Sequence, residues 1–489
     1  LVAGAVALAG GVTNAWLPGS DAAMASAAGS WGNAIEVPGL AALNVEGNAN
    51  VNSVSCTSAG NCAVGGYYKD GLGHLQAFVD SERSDTWRFA FEVPGLAALN
   101  TGGQAGVSSV ACSSGGNCAI GGYYRIASGQ FRWFVAAERK GVWANAITVP
   151  GLANLNSGAA SRLLSLSCAS AGNCAAGGSY RDRDGVSQGF VVSERNGVWS
   201  KAISVPGLGN LNKTGGADVV AISCPAPGNC AAGGVYGIRY SATGHATQGF
   251  VVSERNGKWG KAIEVPGLGA LNQAELVAPT ASVLSMSCTS TGNCVAVGYY
   301  TSGDIPDGPG VPTYTGFVAS ERNGTWGKAA QDPGLGALNA GQVAQTLSVS
   351  CPSAGNCAAG GYYLTAGQSY QGFVAGERHG VWGKATGVAG LGTLNADGTA
   401  EVTWVSCGSG GNCAAGGEYL DAESQNQGFV ASEVNGIWGQ AVEVPGPDTL
   451  NAGGNAAVNS VSCAPDGGCA AVGSYKDGSG HFQGFVVTS

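Results

Sequence analysis

The chain is 489 residues long, 44% hydrophobic and only 11% charged, with 85 glycines, 16 cysteines and 2 methionines. Its net charge of −9 comes with no run of Lys or Arg, which argues against a nucleic-acid partner because phosphate binding needs clustered cations. Few Lys and Glu beside abundant Gly, Asn, Ser and Thr favour strands and tight turns over helices.

The chain opens on a short apolar run, residues 1–10 (LVAGAVALAG), followed by Ala-rich sequence in which Ala23-Met24-Ala25 and Ala25-Ser26-Ala27 fit a small-x-small cleavage pattern. Residues 1–28 therefore read as the remainder of a secretory signal, and residues 29–489 as one domain. The run is too short to span a bilayer and no other candidate span exists. A secreted, extracellular protein without a membrane span is expected.

Cysteines then recur in pairs with five residues between them: Cys56/Cys62, Cys112/Cys118, Cys168/Cys174, Cys224/Cys230, Cys288/Cys294, Cys351/Cys357, Cys407/Cys413 and Cys463/Cys469. The first members of successive pairs are 56, 56, 56, 64, 63, 56 and 56 residues apart, the signature of a repeat architecture. An even count paired locally reads as disulfides made in an oxidising compartment. Zinc sites space their cysteines more tightly and combine two such pairs, and no fixed His accompanies these, so no metal is expected. No Gly-rich phosphate loop appears either, and no cofactor is implied.

In the first repeat, residues 51–56 (VNSVSC) form a β run, 57–61 (TSAGN) a turn and 62–68 (CAVGGYY) a second strand. Residues 69–74 (KDGLGH) are a polar loop, 76–83 (QAFVDSER) a third strand and 87–93 (WRFAFEV) a fourth, ended by Pro94-Gly95. Four short strands joined by hairpin turns make a propeller blade. The Asn-Gly dipeptides before Trp199, Trp259 and Trp438 are strong hairpin signals. Residues 31–37 (WGNAIEV) are a fourth-type strand without the other three, whereas the last copy has three strands and stops. Together they complete one blade and remove the open edges. The fold class expected is all-β: an eight-bladed propeller with one disulfide per blade, closed by the N-terminal strand. Each short disulfide loop contributes about 2 kcal/mol on the chain-entropy account.

Length variation among the copies falls in the strand two–three loops of blades 4 and 5 and in the strand four–one connection between them, all on one face. That face is the expected ligand face. A Tyr follows each second Cys by six, namely Tyr68, Tyr124, Tyr180, Tyr236, Tyr300, Tyr363, Tyr419 and Tyr475. An Asn ends each Leu-x-x-Leu-Asn element, as at Asn44, Asn100 and Asn212, and Gln188 and Gln248 are among the glutamines opening the third strand. An aromatic ring beside amides can stack on a sugar and bond its hydroxyls. The competing role is structural, with Tyr between blades and Asn closing a turn. Trp133 and Trp404 stand where sister copies carry small residues and are candidate stacking platforms, whereas the eight strand-four tryptophans read as core. Glu-Arg pairs in six blades read as ties to neighbouring blades. His74 and His481, with Asp70 and Asp477, read as solvated loop residues.

The segment 193–199 (SERNGVW) and its sisters resemble the Asp-box hairpin of sialidase-type propellers, with the aromatic one position early and Asn where Asp is usual. The resemblance implies the propeller fold, not hydrolysis, because that box is structural in the family. The sialidase site, three arginines with a Tyr/Glu pair, is not assignable here. Over residues 31–489 the chain also resembles repetitive bacterial secreted propellers and lectins. The favoured function is a non-catalytic binding module for an extracellular glycan. The alternatives are a protein-binding or surface-assembly component, and a polysaccharide hydrolase or lyase using Glu275, Asp304 and Asp307, with Arg239 and His245 nearby. The sequence leaves the oligomeric state open.

Overall fold

The computed structural model describes residues 30–113, 116–156, 161–213, 215–239, 245–274, 278–304, 312–409, 411–445 and 450–489. The secretory reading of residues 1–28 lies outside them. Each repeat folds as an antiparallel meander. In blade 1, strand one is Asn50–Ser58, strand two Asn61–Lys69 and strand three Leu75–Arg83. Strand four is less regular than the sequence suggests, splitting into Thr86–Trp87 and Phe91–Glu92, both paired with strand three. The interruption has a cause next door: the Ala90 N–H leaves the ladder to donate to the carbonyl of Pro38 on the preceding blade. Ala146, Ala202 and Ala262 do the same to Pro94, Pro150 and Pro206.

The Pro-Gly that ends strand four turns the chain inward. Gly39 and Gly151 adopt φ of 78° and 74°, the left-handed region open to glycine. Each leads into a single helical turn, Leu40–Leu43 or Leu152–Leu155, whose first leucine is buried. The core is a wheel of third-strand phenylalanines, Phe78, Phe134, Phe190, Phe250, Phe317, Phe373, Phe429 and Phe485, all 0% exposed. Strand-two glycines make room for them: a Cβ on Gly66 would lie 1.9 Å from the Asn50 carbonyl oxygen and 3.0 Å from the Phe78 ring.

All eight cysteine pairs are bridged within their own hairpins, with Cα–Cα distances of 4.0–4.1 Å. The bridges run Cys56–Cys62, Cys112–Cys118, Cys168–Cys174, Cys224–Cys230, Cys288–Cys294, Cys351–Cys357, Cys407–Cys413 and Cys463–Cys469. They are not surface clips. The strand-two members Cys62, Cys118, Cys174, Cys230, Cys294, Cys357, Cys413 and Cys469 are all buried. Each packs in an apolar cluster of its junction, as Cys62 does with Val54, Cys230 with Ile222, Cys413 with Val405 and Cys469 with Val461. These cysteines are therefore structural positions.

The ring closes as the sequence requires. Ile35 and Glu36 pair with Val486 and Phe485, and Trp31 Nε1 donates to Ser432 Oγ at 3.0 Å, as Trp259 does to Ser193 in another junction at 3.1 Å.

Strand one is innermost, so its inner edge would face the axis unpaired. Serines of the preceding blade cap that edge. The N–H groups of Cys56, Cys112, Cys224, Cys288, Cys351, Cys407 and Cys463 donate to Ser462, Ser55, Ser167, Ser223, Ser287, Ser350 and Ser406 at 2.8–3.0 Å. Two residues earlier, Val54, Val110, Ile222, Val349 and Val405 donate to Ser460, Ser53, Ser165, Ser285 and Ser348. Farther out, the Glu-Arg pairs are ties between neighbours. Arg83, Arg139, Arg195, Arg255 and Arg322 reach Glu138, Glu194, Glu254, Glu321 and Glu377 at 2.8–3.5 Å, and Arg378 reaches Glu433.

One junction is built differently. Where sister copies pair valines, as Val265 with Val283, blades 5 and 6 carry Asp332 and Thr346, both 0% exposed, joined Oγ1 to Oδ2 at 3.2 Å. Burial pushes the Asp332 carboxyl up to about 7. A carboxyl raised on folding stabilises fully below its unfolded value, near 3.8, and that contribution is lost as pH rises through 7. Replacing the pair by the sister combination, Asp332→Val with Thr346→Val, is expected to raise Tm at pH 8 and flatten the decline between pH 4 and 8. Calorimetry across that range checks it. Deleting residues 30–37 is expected to uncover the outer edge of the last blade, so that limited proteolysis cuts within residues 456–489 first. Digestion indistinguishable from the intact chain would count against closure by this strand.

Candidate functional site

The strand two–three and four–one loops gather on one face. In blades 4 and 5 the enlarged loops lengthen their hairpins: strands two and three become Asn229–Arg239 and His245–Arg255, then Asn293–Asp304 and Pro312–Arg322. The connection between these blades is held by both, with Gln273 N–H donating to the Thr301 carbonyl and Thr247 N–H to the Pro279 carbonyl. Asp304 sits opposite Pro312 in the extended hairpin. Glu275 and Asp307 lie outside the described residues.

The tyrosines proposed as sugar platforms occupy a different environment. Tyr68, Tyr124, Tyr180, Tyr236, Tyr300, Tyr419 and Tyr475 are 2–6% exposed, and Tyr363 is partly buried. Strand alternation turns these side chains into the seam with the neighbouring blade, where the seven buried rings have no face open to a sugar. Their hydroxyls bond within the seam: Tyr236 donates to Glu264 and Tyr419 to Glu443 at 2.8 Å, Tyr475 to Glu36 at 3.0 Å, and Tyr124 meets Thr148. The amides are likewise engaged in structure. Gln188 donates to Asp182 and accepts from Asn212. Gln248 is 5% exposed. Asn100 donates to Gln76 while its side-chain oxygen accepts the Gln104 N–H, stitching one blade to the next. Trp133 is 7% exposed, with Nε1 donating to Ser161 at 2.8 Å, so it too is core.

Trp404 is 45% exposed and is the one exposed tryptophan among the described residues. It lies mid-strand on the innermost strand of blade 7, directly after a β-bulge at Thr403, so its solvent is the central channel. Each strand one carries a bulge at this place, and bulges re-aim side chains. The bulged residues divide the channel. Leu164, Val220, Leu284 and Leu347 form an apolar arc over blades 3 to 6. Thr403, Asn459 and Asn52 bond instead to the next blade's carbonyls at Val458, Val51 and Val107.

At the channel mouth on the loop face lies a cluster that sequence reasoning missed. Tyr299 and Tyr314 of blade 5 meet edge to face at 5.7 Å, as do Tyr362 and Tyr370 of blade 6 at 5.6 Å. Tyr362 lies within electrostatic reach of Tyr299 and Tyr314 of blade 5 and of Glu401 of blade 7. Burial first, then the Glu401 charge, raises its hydroxyl above the usual range. Glu401 stands directly across from Glu418 on the paired strand. Burial, then the charge of Glu418, raises Glu401, while Asn426 donates to Glu418 at 2.7 Å. All six residues are half-buried. The missed signal is variation at a fixed place. The residue before each seam tyrosine is Tyr67, Tyr123, Ser179, Val235, Tyr299, Tyr362, Glu418 and Ser474 in turn. Of the mouth-facing residues that begin strand one, Arg162 is the one arginine among those described, so no arginine triad assembles there.

No protein-family model matches the chain, and no curated protein matches it. Solved structures it is similar to include the Hadza microbial sialidase Hz136, with TM-score 0.36 and 9% identity over 72% of this chain and 68% of that one. A Dyadobacter fermentans protein of unknown function gives TM-score 0.39 and 11% identity over 78% and 93%. The subtype N11 neuraminidase-like protein of A/flat-faced bat/Peru/033/2010 gives TM-score 0.33 and 10% identity over 94% of each chain. Likeness at this level carries no argument about chemistry.

Because Trp404 is exposed to the channel, Trp404→Ser is expected to remove most of the acrylamide-quenchable tryptophan emission. An unchanged quenchable fraction would place the indole elsewhere.

Proposed function

We propose that the protein is a secreted, non-catalytic binding propeller that recognises extracellular carbohydrate through the face carrying the strand two–three and four–one loops. The supporting observation is the tyrosine–carboxylate cluster spanning blades 5 to 7. Half-buried rings offer a sugar apolar contact, and carboxylates beside an amide offer acceptors and donors for its hydroxyls. The cluster rests on paired strands, so little ordering cost accompanies binding. Eight disulfides suit an oxidising, extracellular setting.

A second reading, a polysaccharide-active hydrolase, is favoured by one feature: Glu401 and Glu418 are facing carboxylates with Glu401 raised, and carboxyl pairs with separated proton affinities do acid–base work on glycosidic bonds. A glycan array followed by calorimetry separates the readings. For a binder, Tyr362→Ala and Glu401→Gln each weaken the selected glycan about tenfold, or about 1.4 kcal/mol, with Tm unchanged. For a hydrolase, Glu401→Gln abolishes turnover and leaves the glycan bound. An intact chain that retains no glycan would dismiss both.

A further inference from the structure

On the loop face, four of the eight blade junctions are closed by the same chain of polar side chains. A third-strand glutamine donates to an aspartate at the start of the strand two–three loop and accepts from the asparagine of the next connection. Gln76 does this with Asp70 and Asn100, Gln188 with Asp182 and Asn212, Gln427 with Asp421 and Asn451, and Gln483 with Asp477 and Asn44. The junction of blades 2 and 3 departs at every link. Arg132 stands for the glutamine and Ile126 for the aspartate. Among the described residues, Asn156 makes no bond to the strand-three carbonyl that Asn100 and Asn212 reach in their own junctions. Three further substitutions gather there. Trp133 replaces the glycine or alanine of all seven sisters, and Ser161 replaces their alanine. Thr148 stands where Glu36, Glu92, Glu264 and Glu443 carry a carboxylate.

Arg132, Trp133, Thr148, Leu152, Asn156 and Ser161 line one cleft with about 10 Å³ of free space, room for about one water-sized atom. Its donors are in excess. Ser161, 6% exposed, accepts from Trp133 Nε1 at 2.8 Å, so its own O–H is left to donate, with no acceptor among the described residues. A buried hydroxyl without an acceptor costs free energy that an arriving oxygen would recover. Arg132 is half-buried, and its one side-chain bond among the described residues is to the neutral amide of Gln130 at 3.1 Å. The two acids that the sister pattern would place beside it are the ones replaced by Ile126 and Thr148. The surroundings reinforce the charge. Apart from the six blade ties, five of the seven remaining arginines, Arg125, Arg132, Arg162, Arg181 and Arg183, belong to the loop face of blades 2 and 3. The acids of that sector are Asp182 and Asp184, and Asp182 is engaged by its own loop and by Gln188. Aromatic surface is close by: Arg125 lies over the Phe131 ring at 5.9 Å, and Phe131 meets Tyr123 edge to face at 5.9 Å.

We infer that the seam between blades 2 and 3 is a subsite for the carboxylate of a uronic-acid residue, with Arg132 and Ser161 as its donors. Arg132 is on the third strand, two strands out from the channel, so this subsite is separate from the tyrosine–carboxylate cluster. A planar carboxylate presents one oxygen to the cleft and pairs with the guanidinium fork, whereas a tetrahedral sulfate needs more room than the cleft has. A uronate is favoured over a free carboxylate because Phe131 and Tyr123 offer its ring apolar contact. The choice of a sugar rests on the glycan reading above; the preference for an anion does not.

The test is calorimetry on the full chain with a galacturonic-acid trisaccharide, its methyl ester and the blocked peptide Gly-Asp-Gly. The acid is expected to bind at least about tenfold more tightly than the ester. Arg132→Gln, which installs the residue of six sister blades, is expected to weaken the acid at least about tenfold and leave the ester unchanged. Ser161→Ala, again the sister residue, is expected to weaken the acid about threefold, while Arg88→Gln at an exposed site of blade 1 leaves it unchanged. Should Arg132→Gln fail to fold, Arg132→Lys decides: it keeps the charge and loses the fork, and a weakening confined to the acid is expected. An unaffected Arg132→Gln protein would overturn the inference. Equal binding of acid and ester would overturn it and leave the glycan reading intact. Tighter binding of the peptide would overturn it in favour of a protein carboxylate. Absence of binding by the acid would overturn it as well, and the glycan array on the intact chain then reads the broader proposal by itself.

Discussion

The innermost edge of seven of the eight sheets is sealed by hydroxyls borrowed from the blade before it, and the ring depends on this seal. A strand edge presents alternate N–H groups that invite foreign pairing and that cost free energy if buried without an acceptor. Here the exposed donors are every second residue of strand one, such as Val54 and Cys56, and the acceptors are every second serine of the preceding strand, Ser460 and Ser462. The match of two periodicities of two fixes how far one blade slides along the next. A one-residue slip would put Asn459 or Val461 where the hydroxyls must be.

Exceptions to the seal show where the fold tolerates other demands. Ala111, Ala221 and Trp404 each replace a serine. The alanines forgo one hydrogen bond, a net cost of about 1 kcal/mol. Trp404 forgoes it too, and also places a large apolar surface in a solvated channel, which stability alone does not call for. Co-varying substitutions tell the same story at other layers. Asp332 appears with Thr346, so a buried carboxyl finds a hydroxyl donor, and Val434 appears opposite Ser489, so neither charge of a tie is stranded.

Much of the architecture was legible because it is repeated. The cysteine spacing fixed the hairpins, and Trp31 standing without its three companion strands announced closure. What repeats, however, is what every junction needs, and this is why the seam tyrosines and Gln188 were poor guides to a ligand: Tyr236 and Tyr419 recur because each blade must fill the same wedge against its neighbour. Alternation along strand two, where Tyr299 and Tyr300 must point to opposite sides, already separated seam from rim. The cluster around Tyr362 was illegible for a further reason. Its members come from three blades and meet only once the ring has closed.

Repetition and asymmetry thus divide the molecule by depth and by face. Blade-to-blade seams use one recipe of Phe, Ser, Glu, Arg and Trp, because each blade is simultaneously a donor surface and an acceptor surface and cannot change one without its neighbour changing the other. The channel bulges and the residues beginning strand one escape that coupling, since their side chains leave the seam. There the chain is free to set leucines against asparagines and tyrosines against glutamates. A ring with eightfold symmetric walls and an asymmetric bore can grip an asymmetric ligand in one orientation, which a fully repeated surface would bind in eight equivalent ways. The concentration of Tyr299, Tyr362 and Glu401 in a single sector is therefore what an orientation-specific site on this scaffold requires.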